Sequence, residues 1–352
     1  MINDTKILHV IDDSKFIEMC ADTFDVKGIK NTFITSNEFN TYDYKPDIIV
    51  VHFLRLNIKD KLLGMSIPIV WFFWGGDGFG LGKFYNIFLS KKTKHLRMKL
   101  AFKKGLRRGL NVFFKTNFPF IIDKFSSGKD ILKLIKKIDV IVPIMPGDYY
   151  LLKQKYNLQN KMFHINYVNT LLSNIETANQ SFGNNILLGN SASYTNNHIE
   201  IIDHLSEIDL SGRKVVIPIN YGDKEYAKFI EHYSEVKLGE KAFVLIDFLP
   251  FDEYQKIIES CSVMIMNHKR QQGLGNIIQA LCSGVRIILN KESTIYDYLV
   301  KNDFIINHTN DLECLFPLNK DEIIHNKQKC LEVFGKQTQQ DNVLELINMI
   351  ND

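Results

Sequence analysis

Short apolar runs rich in Val, Ile and Phe alternate along the chain with longer stretches whose apolar residues recur at helical spacing. In the first half, the runs at 6–11, 47–51, 68–73, 139–143 and 162–165 predict strands. In the second half, those at 185–189, 214–219, 243–246, 263–267 and 285–289 do so, each followed by a helical pattern. The alternation predicts parallel sheets covered by helices, an α/β chain with a doubly wound sheet in each half. The stretch 168–184 is polar and rich in Asn, Ser and Thr, which places the junction there. The expected organisation is therefore a domain over 1–168, a second over 185–320, and closing helical segments over 321–352.

The length of 352 residues suits two α/β domains of ordinary size. A hydrophobic content of 45% beside 24% charged residues is the balance of a folded globular chain rather than a disordered one. The N-terminus lacks a basic-then-apolar leader pattern, since the apolar run 7–11 is broken by His9 and ended by Asp12 and Asp13. A cytoplasmic location is expected. The best apolar candidate for a span, 113–122, is interrupted by Lys115 and followed by Lys124, and falls short of the roughly 18 to 20 residues a bilayer requires. Cys20, Cys261, Cys282, Cys314 and Cys330 are scattered, without CxxC spacing. That pattern indicates neither a disulfide framework nor a zinc site, only buried thiols.

Charge changes the picture in one place. Net charge is only +3, yet 91–108 holds nine Lys and Arg residues and no acid, interleaved with Leu96, Met98, Leu100, Phe102 and Leu106. A basic helix with an apolar face lies well in a headgroup region, each cation near an anionic surface contributing about 1 kcal/mol. A solvated helix face would carry the same charge. Nothing resembles a base-reading module, so nucleic acid is not an expected partner. Residues 91–116 are read as a membrane contact.

Two readings suggested by the N-terminus fail. Asp12-Asp13 after the first run resembles the acidic pair of a receiver domain, but the run at 47–51 leads into His52, Phe53 and Leu54, with no carboxylate to phosphorylate. A dinucleotide-binding turn would be glycine-rich, and Asp12-Asp13-Ser14-Lys15-Phe16 has no glycine.

Ligands of open parallel sheets bind beyond the carboxyl ends of the strands. After the run ending at Gly189 come Asn190 and Ser191, leading toward a helix whose start can hold an anion or simply be capped. Lys269-Arg270-Gln271-Gln272-Gly273-Leu274-Gly275-Asn276 combines a bidentate cation, two glycines and a helix N-terminus, an arrangement suited to a diphosphate. Asn220 and Tyr221, and the loop 249–254, follow other strands of this half. In the first half, Trp74, Gly75, Gly76 and Asp77 end a strand, and Asp77 is placed either to deprotonate an acceptor hydroxyl or to cap the next turn. His9 and His52 end neighbouring strands; each is a candidate catalyst or a core histidine.

These residues resemble the bacterial TDP-Fuc4NAc:lipid II Fuc4NAc transferases, glycosyltransferase family fifty-six. The likeness rests on 71–77, on Ile186-Leu187-Leu188-Gly189-Asn190-Ser191 with Asn197 and His198, on Arg270-Gln271-Gln272-Gly273-Leu274-Gly275, and on Asn290-Lys291-Glu292. It implies a GT-B fold, with two Rossmann-like domains facing a central cleft and the closing helices packing back on the first. It also implies a nucleotide-activated deoxyamino sugar as donor and a polyprenyl-diphosphate-linked glycan as acceptor, at the cytoplasmic face of the inner membrane. Carried over residue by residue, Asn190, Ser191, Arg270, Gln271, Gln272, Gly273 and Gly275 fall on the donor side, and His9, His52, Trp74 and Asp77 on the acceptor side. Asn220, Tyr221, Asn276, Glu292, Gly75 and Gly76 join them as candidate substrate-binding residues from their places in the chain, the loop of Asn220 and Tyr221 being one that could seat the nucleobase. No DxD-like motif follows a strand of the second half, so neither a metal nor another cofactor is expected. The stretch 78–82 is richer in glycine than the family pattern. A relative using a UDP- or GDP-sugar, such as GDP-fucose, and a non-catalytic sugar-nucleotide-binding subunit are the alternatives.

Overall fold

The computed structural model describes residues 4–43, 45–119, 128–167, 172, 183–247, 249–313 and 315–351. Nine of the ten expected strands form within about two residues of their bounds, the one read at 162–165 shrinks to the two residues Lys161–Met162, and two more join them. The first sheet holds β1 (Thr5–Val10), β2 (Ile29–Ile34), β3 (Ile48–His52), β4 (Ile69–Phe73), β5 (Val140–Pro143) and β6 (Lys161–Met162). The second holds β7 (Asn185–Leu188), β8 (Val215–Pro218), β9 (Ala242–Leu245), β10 (Cys261–Met266), β11 (Arg286–Leu289) and β12 (Asn307–His308). Neighbours pair in parallel throughout, in the orders β2-β1-β3-β4-β5-β6 and β12-β11-β10-β7-β8-β9. Strands β3, β4, β5 and β10 are buried at every position, as continuous apolar runs demand when helices cover both faces.

The helices up to the end of the first sheet are α1 (Ile17–Thr23), α2 (Ser36–Thr41), α3 (Lys59–Gly64), α4 (Gly76–Phe79), α5 (Lys91–Lys103), α6 (Leu106–Asn117), α7 (Gly128–Lys137) and α8 (Pro146–Tyr156). Those that follow are α9 (His198–Glu207), α10 (Lys224–Leu238), α11 (Phe251–Glu259), α12 (Leu274–Cys282), α13 (Thr294–Lys301), α14 (Lys320–Phe334) and α15 (Lys336–Asn351). Local chemistry sets several starts. Thr35 and Glu38 form a capping box on α2, and Asp223 accepts from the amides of Glu225 and Tyr226, both at 3.0 Å, to begin α10. None of the described helices is long and apolar enough to cross a membrane.

The chain divides into two compact units: Met1–Tyr85, Phe118–Thr170 and Glu332–Asp352 in one, Asn86–Asn117 and Leu171–Leu331 in the other. The expected first domain, 1–168, thus loses 86–117 to the second unit. The reason lies in packing. Leu96 of α5 is buried in the second unit's core with Ile199, Ile202 and Tyr226. Thr93 donates from its backbone and hydroxyl to Glu200 at 3.1 and 2.7 Å, and Lys92 pairs with Asp203. Asn197 accepts from the Ser90 amide at 2.7 Å and donates to the carbonyls of Phe88 and Asn267 at 3.1 and 3.0 Å. Helix α15 belongs to the first unit: Gln339 accepts from the Asn166 amide at 2.7 Å, and Gln340 donates to the carbonyls of Asp22 and Asp25. The junction read at 168–184 lies almost wholly outside the described residues, as does Cys314. The other four cysteines are buried free thiols.

Candidate active site

Each sheet order reverses once, and the reversal fixes where loops part to leave a crevice. In the first sheet it falls between β1 and β3, so His9, near the end of β1, and His52, the last residue of β3, lie side by side there. Both are buried. His9 Nδ1 lies 3.0 Å from His52 Nε2, His9 Nε2 lies 3.0 Å from Asn31 Oδ1, and His52 Nδ1 lies 2.5 Å from the Tyr167 hydroxyl. Tyr167 also accepts from the Trp74 indole at 2.9 Å, and Asn31 donates to the Phe24 carbonyl at 2.8 Å. An indole only donates and a carbonyl only accepts, so the proton order runs one way: Trp74 to Tyr167, to His52, to His9, to Asn31, to Phe24. Burial lowers both imidazoles, His9 to about 4 and His52 well below its ordinary value, so both are neutral at pH 7.

Beyond β3 the chain makes a strained turn. Phe53 has φ +67, uncommon for a bulky residue, and its ring packs against Trp74. Asp77 holds the turn: its Oδ2 accepts from the Leu54 amide at 2.9 Å and from the Trp71 indole at 2.7 Å, while buried Oδ1 has no partner among the described residues. Burial outweighs those hydrogen bonds and raises the carboxyl to about 6. Gly75 is buried and Gly76 exposed at the start of α4, and Trp74 is half-buried. Asp12 is spoken for structurally, accepting from the Ser36 amide at 2.7 Å and pairing with Arg55 at 2.5 Å. A pocket of the same unit, lined by Pro68, Asp139, Asn157 and Lys161 among others, opens instead where β4, β5 and β6 begin.

In the second sheet the reversal falls between β7 and β10, which brings the loop after Gly189 beside the loop after Met266. Asn190 and Ser191 are buried there; Asn196 Oδ1 accepts from the Asn190 amide at 3.0 Å, and Asn196 Nδ2 donates to Ser191 Oγ at 3.1 Å. Gly273, at φ +69, is the N-cap of α12, and a Cβ on it would lie 3.0 Å from Asn190 Nδ2. Only glycine combines that conformation with that approach. No side chain caps α12 among the described residues, and Arg270, which donates to the Gln271 carbonyl at 2.8 Å, stands just before its first turn. Gln272 accepts from the Thr195 hydroxyl at 2.5 Å. Gly275 is exposed, and a side chain there would meet nothing.

Around this centre, Asn190 Nδ2 donates to the hydroxyl of Tyr221, whose ring is 55% exposed, and Asn276 Nδ2 donates to Tyr254, both at 3.3 Å. Asn220 is half-buried in the loop after β8. Glu292 is exposed and pairs with Lys269 at 2.9 Å. The expected donor-side residues therefore gather at one switch point, with Glu292 at the margin. Phe251 and Asp252 side chains lie outside the description.

Sequence reasoning missed Tyr167 and His268. Tyr167 bridges Trp74 and His52 from 93 and 115 residues away, with no local signal to mark it. His268 follows β10, is buried and held neutral by burial, and neither ring nitrogen has a partner among the described residues. Its position just past a strand end beside Arg270 was the available signal.

Two six-stranded parallel domains of this kind define the GT-B fold. The N-terminal domain of Candida albicans trehalose-6-phosphate phosphatase is similar, at 8% identity over 97% of this chain and 96% of that one, with a TM-score of 0.63. So is sucrose-phosphate synthase from Thermosynechococcus elongatus, at 8% identity over 97% and 94%, with a TM-score of 0.59. Anabaena HepE, in complex with UDP and glucose, is similar at 11% identity over 98% and 100%, with a TM-score of 0.54. At such identities the likeness is one of fold. No curated protein matches the sequence. The family model of the 4-alpha-L-fucosyltransferases, glycosyl transferase group 56, matches residues 136–339, and the chain belongs to that family. It is a glycosyltransferase by family.

Proposed function

We propose that the chain transfers Fuc4NAc from a dTDP-sugar to a polyprenyl-diphosphate-linked glycan at the cytoplasmic face of a bacterial inner membrane, in surface-polysaccharide synthesis. The observation that carries the donor half is the uncapped N-terminus of α12 behind Arg270 and beside Asn190, at the switch point of the unit that holds most of the family match. The acceptor oxygen attacks the anomeric carbon, the bond from that carbon to the diphosphate breaks, and the nucleotide leaves with the electron pair. The negative charge that grows on it meets Arg270 and the α12 amides, already in place, so no metal ion is required. If configuration inverts, Asp77 takes the acceptor proton on Oδ1; if it is retained, Asp77 binds the acceptor. His9 and His52 have every ring nitrogen engaged in the chain from Tyr167 to Asn31 and take no step; through Tyr167 they position Trp74.

The membrane contact narrows from 91–116 to α6. Helix α5 spends Lys92, Thr93 and Leu96 inside its own unit. Helix α6 instead exposes Leu106, Leu110, Phe113 and Phe114, spaced as one helical face and flanked by Arg107, Arg108 and Lys115.

Calorimetric titration with dTDP, UDP and GDP, without metal and then with magnesium, tests the donor. A metal-independent preference for dTDP is expected. Preference for UDP or GDP would discard Fuc4NAc as the sugar, and no binding of any of the three would remove the α12 site.

A further inference from the structure

One buried cluster takes no chemical step in the transfer. Cys20 on α1 places Sγ 3.6 Å from His9 Nδ1 and 3.4 Å from His52 Nε2, which are themselves 3.0 Å apart. All three side chains are buried, and the three ligand atoms lie within 4.8 Å of one another. An ion bound at about 2.0 to 2.3 Å from two nitrogens and a sulfur needs them roughly 3.3 to 3.7 Å apart. The triangle is that size to within a few tenths of an ångström.

The surroundings complete the case. Asn31 Oδ1 fixes the His9 proton on Nε2 and leaves Nδ1 bare toward the cluster, since Asn31's own amide is committed to the Phe24 carbonyl. The Tyr167 oxygen stands at His52 Nδ1, ready to accept if that nitrogen carries the proton. Outer partners of this kind are what orient imidazole ligands on a metal. We infer that His9, Cys20 and His52 form a buried site for a soft, thiophilic cation of the copper(I) class, separate from the transfer chemistry.

Charge and ligand number select the cation. One thiolate and two neutral imidazoles carry a single negative charge, so a monovalent ion gives a neutral site suited to an apolar core, whereas zinc(II) leaves an excess positive charge and favours a fourth ligand. Binding releases one proton, that of the thiol. The proton of His52 moves from Nε2, which now binds the ion, to Nδ1, which donates to Tyr167; His9 keeps its own. No oxidant is involved.

The full-length protein is purified without oxygen from cells grown with added copper, its metal content measured, and copper(I) withdrawn with a chromophoric chelator. The expected result is one copper(I) per chain, held at least tenfold more weakly by Cys20→Ser and by His52→Asn, with thermal unfolding confirming that each variant is folded. X-ray absorption on the unaltered protein gives a check independent of substitution: three-coordinate copper with one sulfur. No retained copper, retention unchanged in Cys20→Ser, a sulfur-free coordination shell, or zinc(II) held in its place would each overturn the site.

Discussion

Gly189 shows how much a single missing side chain can fix. It closes β7 with φ +70, and a Cβ there would overlap His198 Nε2 and come within 2.7 Å of Asn196 Oδ1. Gly189→Ala must therefore pay twice, for a left-handed backbone and for displacing two buried polar groups. A loss of roughly 2 to 4 kcal/mol is expected, read as a lower denaturant midpoint; a change below about 1 kcal/mol would mean the loop has another way to close. Asp77 makes the opposite argument, since its cost is electrostatic. Its carboxyl is raised from 3.8 to about 6, so its contribution to stability is fullest below the unfolded value of 3.8 and is lost as pH rises through about 6. Ionised at neutral pH, it weakens the fold, and it is then in the form that the proposed base requires. Asp77→Asn keeps an oxygen for the Trp71 indole and the Leu54 amide, so at pH 8 the unfolding midpoint should not fall, while turnover drops by about two to four orders of magnitude. In the unaltered protein kcat/KM should fall as pH drops below about 6. If the variant turns over normally, Asp77 serves only to hold the Phe53 turn. The residues after each strand were legible because the switch-point rule depends on chain order alone. Tyr167 was not, because its role exists only once β3 and the end of β4 have been brought to it.

At the scale of elements, the sequence was legible where burial was complete. Continuous apolar runs marked β3, β4, β5 and β10, which are buried throughout. Strand β2 escaped because Ile29–Ile34 mixes Lys, Asn and Thr into an edge strand of intermediate burial, and β12 because Asn307–His308 has no apolar pattern at all. The basic stretch divides at this scale too, because a helical hairpin sorts its charge between two helices. Gly109 makes the hairpin possible, since any side chain there would overlap the Phe102 ring. Sorting predicts different failures. Replacing Phe113 and Phe114 by Ser, both exposed, should leave unfolding unchanged and weaken sedimentation with anionic vesicles at least tenfold. Raised salt should weaken binding of the unaltered protein as the cations are screened. Lys92→Ala, by contrast, removes a partner of Asp203 inside the unit and should leave vesicle binding nearly unchanged. Equal loss from both helices would restore the whole of 91–116 as the contact.

For the whole molecule, the consequence of the fold is that neither unit is one stretch of chain. The first closes only when Glu332–Asp352 returns to it, and the second only when Asn86–Asn117, drawn from within the first, joins Leu171–Leu331. The second unit therefore cannot be cut out at the junction the sequence suggests. A fragment of 172–331 would uncover the surfaces of Ile199, Ile202 and Tyr226 that Leu96 covers, and leave Glu200 and Asp203 without Thr93 and Lys92. In the full chain, Leu96→Ala alone should cost about 2 to 5 kcal/mol. The fragment, which loses the whole of α5 as well as the carbonyl and amide that Asn197 holds at Phe88 and Ser90, should lack a cooperative thermal transition. Joining 86–117 to it through a flexible linker should bring the transition back, together with whatever nucleotide binding the full chain shows. A 172–331 fragment that melts cooperatively and binds nucleotide unaided would show that α5 is an ornament on the second unit rather than part of its core.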